Sequence, residues 1–69
     1  MNKPYHYEIP LPNGEIYRSN KLETIEECVE KCKSRCKEFN VDYNDREVML
    51  FMTDLDGVWE VTEEGELAG

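Results

Sequence analysis

The chain has 69 residues, with sixteen acidic side chains against eight basic ones and a formal net charge of −8. That length holds one domain. The balance disfavours direct binding of nucleic acid, which relies on clustered Lys and Arg, and no stretch approaches the ~20 apolar residues of a membrane span.

The charge is unevenly placed. Residues 1–38 carry seven bases and seven acids, whereas residues 39–69 carry Arg46 alone against nine acids: Asp42, Asp45, Glu47, Asp54, Asp56, Glu60, Glu63, Glu64 and Glu66. A local field of this kind bears on association and partner choice rather than on choice of fold. The first residues, Met1 to Tyr5, show no apolar signal-peptide segment, so a cytoplasmic, reducing setting is expected.

In chain order, Tyr5, Tyr7, Ile9 and Leu11 alternate with His6, Glu8 and Pro10, the period-two pattern of a half-buried strand. Asn13-Gly14 follows and predicts a two-residue hairpin turn pairing Leu11 with Ile16. Pro10 and Pro12 predict an edge strand, because proline donates nothing to a ladder. His6, the only histidine, is expected to face outward and to be exposed.

Thr24-Ile25-Glu26-Glu27 carries a capping-box start. Leu22, Ile25, Val29, Cys32, Cys36 and Phe39 then step by three and four, the stripe of an amphipathic helix that ends near Glu38–Asn40. Acids in its first turns and bases in its last suit the helix dipole. Cys28, Cys32 and Cys36 lie on this helix. Cys28 and Cys36 would stand roughly 12 Å apart by the rise per residue, too far to share one zinc ion. The three are read as free thiols, Cys32 and Cys36 as small apolar groups of the stripe and Cys28 at its border, with no metal and no cofactor.

Three strands are expected next: Phe39 to Tyr43, Val48 to Thr53 and Val58 to Thr62. A loop from Asn44 to Glu47 would pair Val41 with Leu50, and a turn at Asp54 to Gly57 would pair Met52 with Trp59 and Leu50 with Val61. The helix then covers Phe39, Val41, Tyr43, Val48, Leu50, Met52, Trp59 and Val61. The opposite face carries Asp42, Met49, Phe51, Val58, Glu60 and Thr62, an apolar centre with an acidic rim of the kind that builds partner-binding patches. Residues 63–69 read as a flexible acidic tail. The expected fold is a single α+β domain over residues 1–69, an antiparallel sheet in ββαβββ order with one amphipathic helix on one face.

Asp54-Leu55-Asp56-Gly57 has the composition of a calcium loop, but its glycine comes fourth, between strands, where an EF-hand loop has it sixth, between helices. A hairpin turn accounts for it. The chain has no phosphate-binding glycine loop and no nucleophile motif. A domain this small has little volume for both a core and a pKa-shifting pocket, so no enzyme activity is expected.

The expected function is therefore protein binding. Foremost is an acidic inhibitor or adaptor docking on a basic surface of a nucleic-acid-handling protein, by analogy of size and charge with small phage- and virus-encoded inhibitors; the analogy rests on no shared motif. The alternatives are a homodimeric accessory or structural protein using the Met49–Phe51–Val58 face, and an antitoxin-like regulatory subunit. The candidate partner-binding residues are Asp42, Met49, Phe51, Val58, Glu60 and Glu63.

Overall fold

The computed structural model describes residues 3–68. Strand β1 (Tyr5–Pro10) and strand β2 (Ile16–Arg18) form the first hairpin, helix α1 (Ile25–Phe39) follows, and strands β3 (Met49–Asp54) and β4 (Gly57–Val61) form the second. The four strands make one antiparallel sheet in the order β2-β1-β3-β4. Helix α1 packs over β1 on one face. The fold is a small α+β domain, with four strands where five were expected.

The helix begins and ends on local chemistry. The Thr24 hydroxyl accepts the Glu27 amide, filling one of the donors that a helix N-terminus leaves open. At the other end Asn40 takes the left-handed conformation (φ 59°), which Asn tolerates better than most residues. The Val41 amide then reaches back to the Cys36 carbonyl at 2.9 Å, a closure of the Schellman type.

That exit explains the missing strand. Phe39 is the last helical residue, and the chain beyond it is held in consecutive side-chain turns. Asp42 Oδ1 accepts the Asn44 amide and Asp45 Oδ1 accepts the Glu47 amide. Such bonds compete with a sheet ladder for the same backbone groups. The alternation from Phe39 to Tyr43 therefore belongs to a helix end and a loop. Val41, Tyr43 and Val48 still pack against the core.

The first hairpin differs from expectation by one residue. Pro10 pairs with Ile16 and Ile9 with Tyr17, so the loop holds three residues, Pro12-Asn13-Gly14, with Gly14 at φ 91°. A three-residue hairpin loop ending in a left-handed glycine is a standard alternative to the two-residue turn. Nor is β1 an edge strand; it lies between β2 and β3. The prolines are accommodated because the β1–β3 ladder stops at the Glu8–Met49 pair, so no neighbour asks Pro10 for a hydrogen bond on that side. The second hairpin has the expected register, with Leu50 opposite Val61 and Met52 opposite Trp59.

The core consists of Tyr7, Ile9, Ile25, Cys28, Cys32, Cys36, Leu50 and Val61. Ile9 and the three cysteines are essentially inaccessible. Four residues apart on α1, the cysteines form a short row of small side chains. Trp59 points to the helix side but remains 42% exposed, because α1 lies over β1 while β4 is the outermost strand. Its indole Nε1 donates to Asp54 Oδ1 at 3.0 Å.

The segment expected to be a free tail is hydrogen-bonded to the sheet as far as Ala68; Gly69 lies outside the described residues. The Thr62 amide donates to the Glu66 carbonyl, the Ala68 amide donates to the Glu60 carbonyl, and Val61 bridges to Leu67. The chain thus turns back along β4 and covers part of its outer edge, where unpaired backbone groups would otherwise invite strand pairing.

Candidate functional sites on the sheet and its acidic end

The residues singled out from sequence divide between two places. Met49, Phe51, Val58 and Glu60 share the sheet face opposite the helix, as their register with His6, Glu8 and Thr53 requires. Asp42 and Glu63 do not join them. They line an open groove of about 560 Å³ at the C-terminal end of α1, together with Lys33, Lys37 and Tyr43. Asp42 sits there because residues 40–48 form a loop rather than a strand.

On the outer face His6 stacks on Phe51 with ring centroids 4.9 Å apart and planes 16° apart. This stack lies on the two central strands, so His6 is buried, contrary to the exposed position expected of it. Its Nδ1 has no hydrogen-bond partner among the described residues, and its Nε2 is 3.7 Å from Glu8. Arg18 pairs with Glu8 at 2.9 Å, and Lys21 Nζ donates to Thr53 Oγ1. Burial pushes the His6 pKa below its usual value of 6.5, assisted by Lys21 and Arg18 and opposed by Glu8.

A folded-state pKa below the unfolded value means that folding favours the neutral ring. The associated stability is fully present above pH 6.5 and is lost as pH falls through the depressed value. Thermal stability should thus decline from pH 7.5 to pH 5.5, a window in which ordinary carboxylates stay ionised. In His6→Phe, which keeps a ring on Phe51, melting curves should show that decline removed. An unchanged decline would assign it to other groups.

The cysteines face the other side of the sheet from His6, so no Cys–His pair exists. Burial raises the thiol pKa of Cys28 to about 11 and drives that of Cys32 higher still. These thiols are therefore protonated near neutrality and poor nucleophiles. All three are free. No group of three or more metal-binding side chains occurs among the described residues, and no described helix is long and apolar enough to cross a membrane.

The acids of the second half lie on the 42–47 loop, at the end of β3 and its turn into β4, on β4 and on the return segment beyond it. Asp54 accepts from the Trp59 indole and from the Asp56 and Gly57 amides, and these bonds hold its carboxyl below the ordinary range. Asp45, Glu60 and Glu63 line a second groove with Arg46, between the 43–48 loop and the end of β4. Glu63 accepts the Tyr43 hydroxyl at 2.7 Å and lies 4.0 Å from Lys33. It is the only one of the nine acids with an ion-pair partner within 4 Å among the described residues. The remaining ion pairs draw on acids of the first half: Glu8, Glu27 and Glu38.

Asp45 lines this second groove although it is not among the residues that the sequence pattern singles out. Its sequence signal is its place in the acid-rich loop that immediately precedes β3. Compared with known families, curated proteins and solved structures, the chain matches none.

Proposed function

We propose that this chain is a non-catalytic protein-binding module whose acidic second half docks on a basic surface of a nucleic-acid-handling protein, as an inhibitor or adaptor. One observation carries the reading: eight of the nine second-half acids have no ion-pair partner within 4 Å among the described residues, and with Arg46 the only base of that half their charge is left uncompensated. Carboxylates on turns and an outer strand, those of Asp42, Asp45 and Asp54 already fixed by backbone amides, can present a row of negative charge to a site shaped for phosphates. Complementary fields of this sort raise association rates and select partners.

The test is capture from cell lysate at about 50 mM and about 500 mM salt, conditions that bracket strong and weak screening, with the wild type and an Asp45→Asn/Glu60→Gln/Glu64→Gln variant side by side. The expected result is a set of basic nucleic-acid-binding proteins held by the wild type at low salt and lost both at high salt and with the variant. Equal capture by the two proteins, or capture of proteins without nucleic-acid affinity, would refute the reading.

A further inference from the structure

We propose that His6, Glu8 and Arg18 form a proton-operated switch on the outer face of the sheet, in which protonated His6 takes the Glu8 carboxylate from Arg18 and leaves its stack on Phe51. The switch is independent of the acidic docking surface. It also goes beyond the loss of stability on acidification, which needs only the burial of the ring.

The geometry centres on one shared oxygen. Glu8 Oε2 accepts the Arg18 Nε–H at 2.9 Å and stands 3.7 Å from His6 Nε2. His6 and Glu8 share a face because strand side chains alternate, and Arg18 reaches Glu8 as its partner in the β1–β2 register. The neutral ring rests on Phe51, with its Nδ1 buried and unpartnered among the described residues.

Protonation gives the ring a charge and two N–H donors. A buried charge is costly unless it is paired and hydrogen-bonded. The groups that face the ring offer one partner. Arg18 on β2 and Lys21 in the segment after it repel the added charge. On β3, Met49, Phe51 and Thr53 are uncharged, and the Thr53 hydroxyl already accepts Lys21. Glu60 lies on β4, one strand beyond Phe51. Glu15 and Glu47 share a groove with Glu8 toward the first hairpin loop. Among the described residues only Glu8 brings a carboxylate within 4 Å of the ring.

The two cations compete unequally for that carboxylate. The Arg18 side chain is 72% exposed, and an exposed ion pair contributes little, so the guanidinium returns to water at small cost. The imidazolium has no such alternative while it stays on Phe51. A shift of less than about 1 Å brings Nε2 to the length of a charged hydrogen bond. That bond still leaves the Nδ1 donor buried and unsatisfied, which is expensive. The ring therefore also turns outward to meet water, and a single proton both releases Arg18 and exposes the Phe51 ring.

Nuclear magnetic resonance titration of the full chain from about pH 7.5 to about pH 5 tests this, a range in which ordinary carboxylates stay largely ionised. The His6 ring signals, the Arg18 Nε–Hε signal and the Phe51 ring signals should move together, with one midpoint below the usual 6.5 of histidine. In His6→Phe the Arg18 signal should stay fixed. Glu8→Gln should lower the His6 midpoint by about one pH unit, and Arg18→Gln, which removes the competitor, should raise it by about half of one. The amide spectrum reports whether each variant is folded, and the shared midpoint in the wild type decides the matter without any of them. An Arg18 signal that ignores the His6 titration, or moves at a different pH, would overturn the proposal. So would a His6 ring that stays neutral down to about pH 5, or Phe51 signals that stay fixed while His6 titrates.

Discussion

Ile9→Ala should leave this protein largely unfolded at room temperature. Ile9 is fully inaccessible, on a central strand, in the same cluster as Tyr7, Leu50 and the helix cysteines. Truncating a buried isoleucine to alanine costs about 2–5 kcal/mol, through lost transfer energy and the cavity left behind. A single core of this size supplies only about 3–5 kcal/mol in all. The loss is thus comparable with the whole, whereas Ile9→Val, at about 0.5–1.5 kcal/mol, should keep the fold. Urea unfolding followed by far-UV circular dichroism separates the cases. An Ile9→Ala protein with a full native baseline and a midpoint close to wild type would show that the core is not centred on β1.

Raising sodium chloride from about 10 mM to about 500 mM should raise the melting temperature by roughly 5–10 °C. The sign follows from the pairing pattern. Salt weakens attractive and repulsive charge interactions alike, and the Debye length falls from about 30 Å to a few Å over this range. The attractions at stake are a few surface ion pairs, each contributing about 0–1 kcal/mol. Opposing them is the mutual repulsion of carboxylates crowded on the 42–47 loop, the 54–56 turn and the end of β4, on a chain whose net charge is −8. A change of about 1–2 kcal/mol in a domain this small moves the midpoint by that many degrees. The variant Glu47→Gln/Asp56→Asn/Glu64→Gln/Glu66→Gln should melt higher than the wild type at low salt and respond less to added salt. No side-chain hydrogen bond among the described residues uses these four carboxylates. A melting temperature that falls with salt would mean the ion pairs of the first half dominate.

Some of this architecture is legible in the amino-acid sequence, and the reasons are local. Helix α1 announces itself through Thr24, its three-and-four spacing and the sorted charges at its ends, all of which act within a few residues. The β3–β4 register follows from Asp54 to Gly57 by the same token. What escapes is set by competition or by long-range placement. Phe39 to Tyr43 alternates like a strand, yet Asn40 and the Asp42 and Asp45 side chains claim the backbone first. Pro10 reads as an edge residue, and only the point where β3 stops pairing shows why a central strand tolerates it. His6 reads as exposed because its neighbours on the face, Phe51 and Lys21, come from distant parts of the chain. Of the candidate surface, Met49, Phe51, Val58 and Glu60 were legible as a group from the alternation of β3 and β4. Asp42 and Glu63 depended on a fifth strand and on a free tail, neither of which is observed.

The central position of β1 also bears on how the molecule assembles. Its partner across the middle of the sheet, β3, lies about 45 residues further along the chain. The first hairpin and the helix can take shape early, but the pairing that joins the two hairpins waits until residues 49–54 are present. For a domain this short that is a long loop to close, and such non-local pairing slows folding relative to a helical bundle of equal length. During synthesis the N-terminal hairpin must therefore wait with one side of β1 unpaired until residues 49–54 emerge and complete the sheet from its middle.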